Sequence, residues 1–399
     1  MILAVALALV MPVSGDWLER IYVAPPEIGA KVLLRHLDAD KKKKAEQLEE
    51  AFRLAGQARM PYPVMAQAPP DSLAGKQMEA RLTQLDGLGL QEQAVMAMMA
   101  VNPARAREMA LGMRVPSPPP ASCANLAVAI LDEYYRLALT IAKRGFTARQ
   151  REDGEPLKYL LGIISASTSP EQLQGAAFLV RQYGGTEEER GVLLSALASS
   201  LKAATANPRA FAATPALAEE MAVLRRQTGD AALEEAWAAY QKTQQKAEPC
   251  KDSGNFVFWE TGTARELQRT LAKLRPAPAE ADAGYEARVT ALLHRVEEWR
   301  EEEDTPAPAL FHMKAQMYAS LLGQAVTDSL LRAVMASFVQ FLRDAPAKTE
   351  SPAEWMLYFQ RMVMPWSPGG MKSVAAAKEE IRRSGDGVMN LLVDAGFAF

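Results

Sequence analysis

Apolar residues recur at helical spacing along almost the whole chain, and the segments that carry them open and close on cap residues. In "TSPEQLQGAAFLVRQYGG", Ser169 stands at the N-cap, Pro170 at the first helical position and Gln172 at the capping-box position, with glycines where the run stops. "GTEEERGVLLSALASSLKA" repeats the device with Thr186 and Glu189, and Leu193, Leu197 and Leu201 form one stripe. Asn102 with Pro103, Thr214 with Pro215, and Thr263 with Glu266 predict three further helix starts. Leu126, Ile130, Tyr134, Leu137 and Ile141 predict a helix of about 20 residues between Cys123 and Arg144. "NFVFWET" at 255–261 and the terminal "GFAF" have strand-like composition, which is too little for a sheet. The pattern therefore predicts an all-α protein.

Connectors rich in proline or small residues at 58–72, 114–122, 275–284 and 304–309 divide the chain into helical blocks at 16–113, 121–274 and 285–399. Helix pairs joined by short loops predict an irregular α-solenoid, because one pair cannot bury its apolar stripe until a neighbour stacks on it. Two or three separate helical bundles are the alternative. The segment "LQEQAVMAMMAVNPARAREM" resembles tetratricopeptide-like helix pairs, and the layout of the whole chain resembles uncharacterised secreted helical-repeat proteins of bacteria. That resemblance implies stacked helices and transfers no activity.

The chain opens "MILAVALALVMPVSGDW", an apolar run of about a dozen residues that ends in Ser14 and Gly15 before Asp16. This predicts a signal peptide over residues 1–15 and export to the periplasm or beyond, although no Lys or Arg precedes the run. No later segment reaches about 18 uninterrupted apolar residues, so no transmembrane segment is expected in the mature chain. In an oxidising compartment, Cys123 and Cys250, each beside a proline-containing connector, are expected to form a disulfide that fastens the ends of the central block.

Charge and chemistry narrow the picture further. The 48 acidic and 45 basic residues give a net charge of -3, with no drive toward nucleic acid. "DADKKKKAEQLEEAF" reads as a solvated first helical turn capped by aspartate, "RVEEWREEEDTPAP" as a helix fraying into an acidic connector, and "DGLGLQE" as a turn. His36, His294 and His312 lie in separate segments without the three- or four-residue spacing of a helical metal pair, and each reads as an ordinary surface or core histidine. Met96, Met98, Met99, Met109 and Met113 read as core filling rather than copper ligands. "TESPAEWMLYFQRMVMPWSPGG" is similar to lytic transglycosylases at Glu350 and Ser351, but the following spacing departs from that family and Ser351-Pro352 reads as a helix start.

No catalytic residue, cofactor or metal ligand is therefore expected. The architecture points to a surface that binds another protein or an envelope polymer. A cell-envelope enzyme with a carboxylate site, marked by convergent Asp, Glu or His side chains, and a structural subunit are the alternatives.

Overall fold

The computed structural model describes residues 20–65, 73–118, 128–204, 214–245, 262–274, 283–301, 307–364 and 371–397. Cap chemistry sets most helix starts. After a 3₁₀ turn at Ile21–Val23 come α1 (Pro26–Arg35) and α2 (Lys41–Ala55), where the Asp40 carboxylate accepts from Lys42 N and Lys43 N, both at 3.0 Å. Then follow α3 (Leu73–Thr83), α4 (Gly87–Val101) and α5 (Pro103–Gly112). "DGLGLQE" proves to be a helix start rather than a free turn: Asp86 caps α4 by accepting from Gly89 N at 2.6 Å. A Cβ on Gly87 would lie 2.8 Å from the Ala55 carbonyl oxygen, so glycine permits the close approach of α4 to the end of α2.

The helix expected to follow Cys123 directly starts later, as α6 (Asp132–Arg144). Val128–Ala129 instead forms a two-residue strand, β2, paired antiparallel with β1 (Val64–Met65), and Ile130 N donates to Pro63 O at 2.8 Å. Backbone pairing with a distant segment overrides the helical spacing that Leu126 and Ile130 share with Tyr134. Residues 119–127, which include Cys123, and 246–261, which include Cys250, lie outside the described residues, as do residues 1–19. The expected disulfide and signal peptide are therefore not addressed by the fold.

Next come α7 (Ala148–Glu152), α8 (Glu155–Ser165), α9 (Pro170–Gln182), α10 (Glu187–Ala204), α11 (Thr214–Thr228) and α12 (Ala231–Gln245). Ser169 and Gln172 close the predicted capping box on α9, and Thr186 exchanges hydrogen bonds with Glu189 at 2.8 and 3.2 Å. In this stretch each helix packs on the next but one: α8 on α10, α10 on α12, and α9 on α11. Their apolar stripes, including Leu193, Leu197, Leu201, Leu233 and Trp237, share one hydrophobic cluster with α4, α5 and α6. Met98, Met109 and Met113 are buried there, as core filling requires, while Met96 is exposed.

The last part contains α13 (Gly262–Lys273), α14 (Ala283–Glu298), α15 (Ala307–Leu322), α16 (Asp328–Asp344), α17 (Ala347–Glu350), α18 (Pro352–Val363), α19 (Met371–Ser384) and α20 (Gly387–Asp394). The end of α14 does not fray at Trp299: the buried Lys314 ammonium donates to the carbonyls of Glu297 at 3.2 Å and Trp299 at 2.9 Å. Residues of α1–α4 join a second hydrophobic cluster with α13–α20, so the first helices complete the core of the last ones. Arg20 pairs with Asp394 at 2.7 Å and His36 Nε2 donates to Ala395 O at 2.8 Å, which brings the two ends of the described chain together. α4 serves both clusters, with Leu90 in one and Val95 in the other. Among the described residues the fold is all-α apart from the β1–β2 pair, and no helix is long and apolar enough to cross a membrane.

Candidate metal centre

The closing of the first helices on the last ones sets three polar side chains in an apolar seam. α3 packs on α18, and α18 packs on α15. α3 contributes Glu79, α15 contributes His312, and α18 contributes Glu354 and, one turn later on the same face, Tyr358. Each helix is held in place by local chemistry. α3 ends with Gln84 in the left-handed region (φ 54°), where Leu85 N reaches back to Ala80 O at 2.8 Å and the buried Leu85 side chain closes the end. The Lys31 ammonium donates to Thr83 O and ties that end to α1. α18 starts with Pro352 in its first turn, and buried Trp355 anchors it by donating Nε1 to Leu342 O at 2.8 Å.

The imidazole Nδ1 of His312 is the point on which the other groups converge. Tyr358 Oη lies 2.9 Å from it, Glu354 Oε1 3.5 Å and Glu79 Oε1 3.9 Å. One donor atom each from Glu79, His312 and Glu354 can be chosen so that all three lie within 4.8 Å of one another. Glu354 is 2% exposed and its Oε1 has no hydrogen-bond partner. Glu79 is buried, and His312 is partly exposed and forms the edge nearest solvent. Burial raises the Tyr358 hydroxyl pKa, Arg361 opposes that shift, and the Glu79 and Glu354 carboxylates add to it. The phenol therefore stays protonated.

Two carboxylates and one imidazole are a donor set for a first-row divalent metal ion. Tetrahedral bonds of about 2.0–2.2 Å place neighbouring donors about 3.4 Å apart. The Nδ1 to Glu354 Oε1 distance of 3.5 Å already meets that spacing. The charges also balance: two carboxylates and a neutral imidazole around a dication sum to zero. Calcium and magnesium fit less well, because they favour shells built from oxygen alone.

The other residues singled out in the sequence do not gather here. His36 binds the Ala395 carbonyl, and exposed His294 pairs with Glu297 at 2.9 Å. Glu350 is exposed at the end of α17, and Ser351 precedes α18 without a side-chain cap hydrogen bond. Spacing could not reveal the centre, since Glu79, His312 and Glu354 lie on three helices far apart in sequence. One signal was present: Glu354 is a lone acid in the apolar run "PAEWMLYF". Compared with known proteins, the chain matches no family model, no curated protein and no solved structure.

Proposed function

We propose that the protein binds a divalent first-row metal ion, with zinc as the reference ion, through Glu79, His312 and Glu354, and that the ion pins α3 against α15 and α18. The observation that carries this reading is the buried, unpartnered Glu354 Oε1 facing His312 Nδ1 at 3.5 Å. A buried acceptor without a partner is costly, and a cation satisfies it. Tyr358 Oη lies 2.9 Å from the same nitrogen, so its hydrogen must turn away from Nδ1 when that lone pair takes the ion. Three protein ligands leave a position for water or a substrate atom, the arrangement that open metal sites use. This supports the enzyme alternative, which calls for convergent acids and histidine.

The test is direct. Protein stripped with a chelator, incubated with zinc and desalted should retain about one ion per chain by elemental analysis, and His312→Ala protein should retain none. Equal retention by both proteins, or none by either, removes the reading.

A second reading has its own support. The packing of each helix on the next but one, from α8 to α12, is the contact pattern of stacked helical repeats, and it favours an irregular solenoid that offers a surface to a protein or an envelope polymer. Export stays with residues 1–15 and the disulfide with Cys123 and Cys250. Co-sedimentation of the purified chain with isolated cell-wall polymer tests the polymer arm, and a chain left in the supernatant removes it.

A further inference from the structure

α9 packs on both α6 and α11, and a cleft of about 200 Å³ opens across the three helices. Asp132 and Arg136 of α6, Gln174, Phe178 and Arg181 of α9, and Glu220 of α11 border it. Two of the four charges satisfy each other: Arg181 donates Nε and Nη2 to the two Glu220 oxygens at 2.8 and 3.0 Å. The other two do not. Asp132 and Arg136 are exposed and stand four residues apart on one face of α6, yet no ion pair joins them. Among the described residues the Arg136 guanidinium makes no hydrogen bond or ion pair, and Glu92 of α4 is near enough to feel its charge without pairing with it. Asp132 has one long hydrogen bond, from Gln174 Nε2 to Oδ1 at 3.4 Å, which leaves Oδ2 open.

The arrangement of free charges selects a ligand class. An anion alone would meet the Asp132 carboxylate, and a cation alone would meet Arg136, whereas a zwitterion offers each its opposite. A guanidinium holds a carboxylate through paired N–H donors, and a carboxylate accepts from an ammonium. A cavity of ~150 Å³ holds a molecule the size of benzene. The cleft of about 200 Å³ therefore has room for an α-amino acid whose side chain lies on the half-buried Phe178 ring. The Arg181–Glu220 pair borders the α11 side without adding net charge.

We infer that this cleft binds a zwitterionic α-amino acid with an apolar side chain. Its carboxylate pairs with Arg136, its ammonium with Asp132, and its side chain packs on Phe178. The cleft shares no helix with Glu79, His312 and Glu354, so the inference stands apart from the metal reading.

Calorimetric titration of the full chain with phenylalanine tests this, compared with 3-phenylpropionate, which lacks the ammonium, and phenethylamine, which lacks the carboxylate. Phenylalanine should bind saturably and about tenfold more tightly than either analogue, the difference one charge-assisted hydrogen bond makes. Arg136→Gln should lower phenylalanine to the affinity of phenethylamine while leaving phenethylamine itself unchanged. Asp132→Asn should lower phenylalanine to the affinity of 3-phenylpropionate in the same way. Both replaced side chains are exposed, so circular dichroism should show unchanged helix content, and the analogue comparison needs the wild type alone. Absence of saturable binding at millimolar phenylalanine overturns the inference. So does either analogue binding as tightly as phenylalanine, or a phenylalanine affinity that either folded variant leaves unchanged.

Discussion

Replacing Glu354 by glutamine separates a metal ligand from an ordinary ion-pair partner, because the two roles predict opposite signs. The substitution keeps the shape of a side chain that is 2% exposed and removes one negative charge from a seam shared with Glu79. Without metal, relief of buried like charge should make Glu354→Gln more stable than the wild type by about 1 kcal/mol. With zinc at a hundred times its dissociation constant, the wild type gains about 2.7 kcal/mol by linkage. The variant, lacking one of three ligands, gains little of this. The order of stability should therefore invert, from the variant ahead by about 1 kcal/mol in chelator to the wild type ahead by about 2 kcal/mol in zinc. Thermal unfolding with and without zinc measures this, at roughly 2 °C per kcal/mol for a chain of this size. If Glu354 serves only as the counter-charge of a protonated His312, losing it leaves a cation short of a partner, and the variant is less stable in both conditions. That outcome refutes the metal reading.

Other expectations follow from packing and burial. Gly175→Ala should destabilise by about 1–3 kcal/mol despite the better helix propensity of alanine. A Cβ there would meet the Tyr135 ring at 2.1 Å, and that ring is fully buried and tied to Ser167 by a 2.8 Å hydrogen bond, so urea denaturation should show the loss. Burial, and next the neighbouring Glu133 carboxylate, raise the pKa of Glu92, so its folded form holds a proton that the unfolded chain gives up sooner. Stability from this group is full below the ordinary carboxylate range and is lost as the pH rises above it. Glu92→Gln should match the wild type near about pH 4 and exceed it near about pH 9, and equal stability at both ends would contradict the assignment. Ser169→Ala should cost about 1 kcal/mol through loss of the capping box on α9, measured by the same denaturation.

Much of the local chemistry that acts over three or four residues was legible in the sequence, although the Asp86 cap on Gly89 was read as a turn. The capping boxes at Ser169 and Thr186, the Asp40 cap and the Asn102-Pro103 start all depend on neighbours within one turn, so composition and order suffice to place them. The all-α class follows from the same signals, added along the chain. What escaped the sequence depended on partners far away. Val128 and Ala129 lie within the stretch read as helix but form a strand because Val64 and Met65 offer backbone partners. Lys314, an unremarkable helix lysine in the sequence, holds the end of another helix. His312 becomes a candidate ligand only because α3 and α18 close on α15 and bring Glu79 and Glu354 to one imidazole nitrogen. A single sequence encodes its own near-neighbour hydrogen bonds and apolar stripes, whereas which stripes meet is decided by burial summed over the whole chain, and that sum exists only in the folded structure.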